Sequence, residues 1–135
     1  MIKNVPPTPT LSGLTALKVF VVSGDAAIYD SVKELVEAAN LQAETFPSLD
    51  AFQDALAPGS RGCLLLDMQI DDWCDQQGQP GMVAAGATMP VLILIDRGDV
   101  VTAVRALQCG VVDVIEKPFR HASLLDSILQ ALERQ

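Results

Sequence analysis

The chain has 135 residues, of which 50% are hydrophobic and 4% aromatic, and a formal net charge of −8. That length is one domain's worth, enough to bury roughly two-thirds of the surface the unfolded chain exposes, so it folds without disulfide or metal staples. The nine Lys and Arg form no cluster, which argues against nucleic acid or an anionic membrane as partner of this chain by itself. No apolar run approaches the length of a membrane span.

From the N-terminus, "NVPPTPTLSG" (4–13) has three prolines and no apolar period, which predicts a disordered tail over residues 1–16. "LKVFVV" (17–22) is an apolar run of strand length. Ile28, Val32, Leu35, Val36 and Ala39 then recur at helical spacing. "AETF" (43–46) predicts a second strand. Ser48 or Asp50 caps a short helix through Leu56, stopped by Pro58-Gly59. "GCLLLD" (62–67) and "PVLILI" (90–95) predict buried strands. Between them, the three glycines and Pro80 of 69–89 leave room for only a short or irregular third helix. Val100, Val104 and Leu107 line one face of a helix closed by Gly110. "VVDVIE" (111–116) is a fifth strand, and Leu124, Leu125, Ile128, Leu129 and Leu132 mark an amphipathic last helix.

Five apolar strands alternating with helices predict an α/β fold, a parallel sheet covered on both faces by right-handed crossovers. Ligands of such sheets sit beyond the strands' carboxyl ends. There the sequence places Ser23-Gly24-Asp25, Asp67, Ile95-Asp96 and Lys117-Pro118. A carboxylate at the end of a central strand, with a lysine at a neighbouring one, is either a simple ion pair at the sheet rim or a site where the lysine steadies an anion at Asp67. Pro118 ends the fifth strand and holds Lys117 there by a stiff bond.

Cys63, Cys74 and Cys109 include no C-x-x-C, and the single histidine, His121, has no cysteine near it, so a zinc site is not expected. Three unpaired thiols without a signal peptide point to the cytoplasm. Cys63 and Cys109 are expected in the core and Cys74 as an exposed thiol. Trp73 is read as a ring packing its own loop in preference to a binding anchor.

The segment "GDVVTAVRALQCGVVDVIEKPF" (98–119), the spacing of Asp67 and Lys117, and the five-fold alternation resemble the receiver domain of bacterial two-component response regulators. The resemblance covers about residues 17–133 and is nearest to receivers of the nitrogen-fixation type. It implies a flavodoxin-like (CheY-like) doubly wound (βα)5 sandwich with sheet order 2-1-3-4-5, spanning 17–135, and a signalling module in place of an enzyme. It further implies that Asp67 accepts a phosphoryl group from a histidine kinase, that Lys117 contacts that group, and that the Lys117–Pro118 peptide is commonly cis.

The chain departs from the family's pattern at four positions. The acidic pair that holds Mg²⁺ with the phosphorylatable aspartate is matched by Ser23 and Gly24. The hydroxyl at the end of strand four is replaced by Ile95, and the aromatic switch on strand five by Val114. Mg²⁺, the cofactor the resemblance implies, is therefore expected to bind weakly, with Asp67 and Asp25, displaced by one position, as candidate ligands; Asp71 and Asp72 are loop carboxylates that could approach it. The expected protein is a degenerate receiver working through protein partners, either a histidine kinase or another regulator, or through a homodimer. Val104, Arg105, Gln108 and Phe119 are candidates for its contact face. Two other readings stand beside it. One is a conventional receiver phosphorylated on Asp67 ahead of a DNA-binding output domain; the other is a small enzyme on a flavodoxin-like sheet, for which no glycine-rich phosphate loop or nucleophile elbow is present.

Overall fold

The computed structural model describes residues 17–56, 60–69, 73 and 89–133. The expected tail over 1–16 and most of the irregular third crossover, with Ile70, Asp71, Asp72 and Cys74, lie outside them. In chain order the elements are β1 (Lys18–Ser23), α1 (Ala26–Ala38), β2 (Gln42–Phe46), α2 (Leu49–Ala55), β3 (Gly62–Asp67), β4 (Val91–Asp96), α3 (Val100–Gln108), β5 (Asp113–Lys117) and α4 (His121–Glu133). The five strands are parallel and ordered β2-β1-β3-β4-β5, the doubly wound arrangement the alternation predicts.

Between their end residues the three central strands are apolar, because both of their faces are covered. Successive side chains point to opposite sides, so each strand feeds two cores. Phe20, Val22, Leu64, Leu66, Ile93 and Ile95 pack with Phe52 of α2 and Ala106 of α3. Val19, Val21, Leu65, Leu92 and Leu94 pack on the other side with α1 and α4, through Val32, Val36, Leu124 and Ile128. Each fully buried Leu or Phe contributes about 1.5–3 kcal/mol through the water it sheds.

Local chemistry sets the element ends. Ser48, not Asp50, caps α2, its Oγ accepting from the Ala51 N–H at 3.1 Å. Asp99 caps α3 by accepting from the Thr102 N–H at 3.1 Å. The Thr102 side chain first, and then this backbone N–H, hold the Asp99 carboxyl below the usual aspartate range. Gly62 opens β3 at φ +148, where a Cβ would lie 1.8 Å from the Lys18 carbonyl oxygen; only glycine lets β3 start so close beside β1.

Two sequence expectations need correction, the start of β5 and the state of the cysteines. β5 begins at Asp113, two residues later than its apolar run. Gly110, at φ +96, turns the chain out of α3, and the Val111 N–H still donates to Ala106 at the helix end. On α3 the apolar stripe faces outward: Val100, Val101, Val104 and Leu107 are 68%, 73%, 47% and 55% exposed, while small Ala106 is the side that meets the sheet. Among the cysteines, Cys63 is a free, buried thiol whose pKa desolvation pushes up to about 12, which leaves it inert as a nucleophile. Cys109 is buried too but disulfide-bonded, so the expectation of three free thiols fails; sequence spacing does not report which Cα atoms come within bridging distance. Trp73 is 3% exposed and packs into the α2/α3 core, as expected of a packing ring. Its indole N–H meets no acceptor among the described residues.

Candidate functional site

Strand register brings the sequence candidates to one edge. Ser23 pairs with Asp67 across β1 and β3, and Asp96 pairs with Lys117 across β4 and β5. Lys117 then reaches over the end of β4. Its Nζ donates to Asp67 Oδ1 at 2.7 Å and lies 3.7 Å from Asp96 Oδ1. The Asp67 side chain is 10% exposed, that of Lys117 29% and that of Asp96 83%, so the bridge to Asp67 is the sheltered one. The Lys117–Pro118 peptide is cis.

The second carboxylate oxygen of Asp67 is also taken. Ser23 Oγ lies 2.7 Å from Asp67 Oδ2 and accepts from the Asp25 N–H at 3.0 Å. With its acceptor side used by that N–H, the single hydroxyl proton points to the carboxylate; the Asp25 carbonyl, at 3.3 Å, is the longer alternative. Ser23 is fully buried. Sequence reading treated it only as a lost acid, and no local signal shows that its hydroxyl faces a residue far along the chain.

Asp25, the candidate replacement ligand, has another task. Its Oδ1 accepts from the Ala27 N–H at 2.9 Å, capping α1. The sequence carried that signal, an aspartate immediately before a helical stripe. Ile95 is 5% exposed in the α2/α3 core, and half-buried Val114 packs against the same cluster. Glu116, not singled out from sequence, accepts from the Gly98 N–H at 2.7 Å and ties the turn before α3 to β5. Phe119 does not join the exposed valines of α3; it packs against the opposite layer, beside exposed His121.

Open clefts of about 380 and 340 Å³ flank Asp67 on its two sides, and Gly24 lines both. The donor set does not fit Mg²⁺. The ion needs near-octahedral oxygen ligands and commonly uses carboxylates. Here the acid-pair positions offer a buried hydroxyl and a glycine, and Asp67 has a donor on each oxygen. Among the described residues, no three His, Cys, Asp or Glu side chains converge as metal ligands.

Burial alone lowers the Lys117 pKa, but the hydrogen bond and charge of Asp67, with the charge of Asp96, outweigh it and the net shift is upward. A lysine raised on folding contributes stability that is fully present below its unfolded pKa and lost as pH climbs through the folded one. Unfolding measured against pH should therefore show wild-type stability falling above pH 10.5, the ordinary lysine value. Lys117→Met should lower stability at neutral pH by about 1–2 kcal/mol, by stranding Asp67 Oδ1, and should flatten the alkaline fall. An unchanged alkaline slope in the variant would count against the bridge.

A parallel sheet of order 2-1-3-4-5, with an aspartate closing its third strand and a lysine closing its fifth, defines a phosphorelay receiver fold. Residues 19–129 match the response regulator receiver domain family, and the chain belongs to that family. The transcriptional regulatory protein FixJ of Azorhizobium caulinodans is 33% identical over 119 residues, 88% of this chain and 56% of that protein. The response regulator TmoT of Ectopseudomonas mendocina is 30% identical over 85% of this chain and 52% of its own. Full-length FixJ from B. japonicum superposes with a TM-score of 0.73 at 32% identity, over 89% of this chain and 59% of the other. The chain spans about half the length of the curated relatives it matches.

Proposed function

We propose that this receiver is degenerate, and that it signals through protein–protein contact with little or no Mg²⁺-dependent phosphorylation. The observation that carries the reading is the closed state of Asp67, whose Oδ1 and Oδ2 are held at 2.7 Å by Lys117 and Ser23 respectively. Transfer of a phosphoryl group relies on positioning and charge neutralisation, much of it supplied by metal. In this crevice Lys117 already serves Asp67 and Asp96, and among the described residues no cluster of carboxylates joins Asp67 to hold a cation. Ile95 and Val114 fill the positions through which family members relay the phosphoryl group's arrival. The outward apolar stripe of α3, with Val104 at its middle, is the surface a protein partner would cover. That partner is a kinase, another regulator or a second copy.

The test is incubation with Mg²⁺ and acetyl phosphate, followed by intact-mass measurement, with Asp67→Asn as control. The expected result is no added phosphoryl group on folded wild-type protein. Efficient labelling that vanishes in Asp67→Asn would favour the second reading, a conventional phospho-accepting receiver that controls an output domain. That alternative draws on the relatives, regulatory proteins nearly twice as long as the region they share with this chain.

A further inference from the structure

Ser23 is the fully buried polar residue among the described side chains, and its geometry is specific. The β1–α1 turn aims the Asp25 N–H at Ser23 Oγ (3.0 Å), and the hydroxyl passes its proton toward Asp67 Oδ2 (2.7 Å). Donors in series polarise one another, so a hydroxyl that accepts from an amide is a stronger donor to the carboxylate. Lys117 occupies Oδ1 from the opposite side of the crevice at 2.7 Å. The two donors approach from β1 and β5, which are separated in the sheet by β3 and β4, so the carboxylate is gripped between non-neighbouring strands.

We infer that Ser23 is an autoinhibitory positioning residue, whose hydroxyl occupies the one Asp67 oxygen that Lys117 leaves open and keeps the carboxylate in a closed clamp. This deepens the proposed reading and rests on it: the degenerate position does not merely lack a metal ligand but supplies a contact that blunts Asp67. An oxygen that accepts a short hydrogen bond in a sheltered site has its lone pair directed at the donor and is a poorer nucleophile toward any electrophile, phosphorus included. No metal ion enters the argument, so the clamp is measurable in metal-free buffer.

The experiment is carbodiimide-coupled amide labelling of the full chain in metal-free buffer, mapped by peptide mass spectrometry. The rate at Asp67 is read relative to that at Asp126, which is exposed on α4, away from the crevice, and serves as an internal standard. Ser23→Ala removes the donor, and Ser23→Cys keeps the bulk while substituting a weak one. Circular dichroism identifies the variants that remain folded. The Asp67/Asp126 ratio is expected to rise about tenfold in Ser23→Ala, the scale of one hydrogen bond to a charged group, and by less in Ser23→Cys. A general loosening would raise labelling at other sheltered carboxylates as well; the clamp raises it at Asp67. A wild-type ratio in either folded variant would overturn the inference. Acetyl phosphate labelling of the wild type judges the degenerate-receiver reading separately, since that reading fails on phosphorylation whatever the carbodiimide ratio does.

Discussion

Replacing Ser23 and Gly24 together with aspartate is expected to convert a cation-indifferent protein into one whose stability depends on Mg²⁺. The double variant loses the Ser23 hydrogen bond and sets two more carboxylates beside Asp67, so in EDTA it should be less stable than wild type by about 1–3 kcal/mol. Gly24 has open space where a side chain would go, so the second carboxylate is accommodated without repacking. With three carboxylates at the strand ends the donor set suits Mg²⁺. At a hundred times its Kd the ion should return about 2.7 kcal/mol. Thermal unfolding in EDTA and in Mg²⁺ measures both effects, with the wild type expected to show the same midpoint in each. A double variant that melts identically in the two buffers would mean that the shape of the crevice, and not its missing acids, excludes the ion.

Phe52→Ala should be the most damaging single change to the fold. Phe52 is fully buried, and its ring lies 5.4 Å from those of both Phe20 and Phe46 in edge-on geometry. It is the main anchor of α2, a helix of seven residues that has no other buried side chain. Truncation removes the ring's burial and leaves a cavity that a single short helix cannot close, a loss of about 3–5 kcal/mol. For a domain of this size that is a fall of about 10–20 °C in Tm. Calorimetry of the variant checks it, and a drop of only a few degrees would show that α2 repacks. The 380 Å³ cleft beside Asp67 is lined by Ser48, Leu49 and Asp50 at the start of the same helix, so this packing also shapes one wall of the site.

Much of the site was legible because strand ends are legible. A continuous apolar run that stops at a charged residue locates the end of a buried strand, which is how Asp67 and Lys117 stand out. What each side chain does there was less visible. The sequence reading takes Asp25 only as a displaced metal ligand, whereas its Oδ1 accepts from the Ala27 N–H two residues on and caps α1. The valines of α3 have the spacing of a core stripe, yet they face outward. Periodicity shows that a helix has an apolar face and is silent on which neighbour covers it.

By itself the sequence determined the fold class, the strand order through its family resemblance, and the loss of the acidic pair, the alcohol and the aromatic ring at Ser23, Gly24, Ile95 and Val114. The fold class follows from local composition and spacing, properties that a one-dimensional string records; the strand order and the four departures are what the resemblance to receiver domains implies. Only the tertiary structure decided that Ser23 donates to Asp67, that Lys117 crosses the end of β4 to complete the grip, that Cys109 is bridged, and that the apolar edge of α3 stays exposed. Each of these depends on the distance between atoms far apart in the chain, which parallel register and crossover packing set and no local pattern encodes.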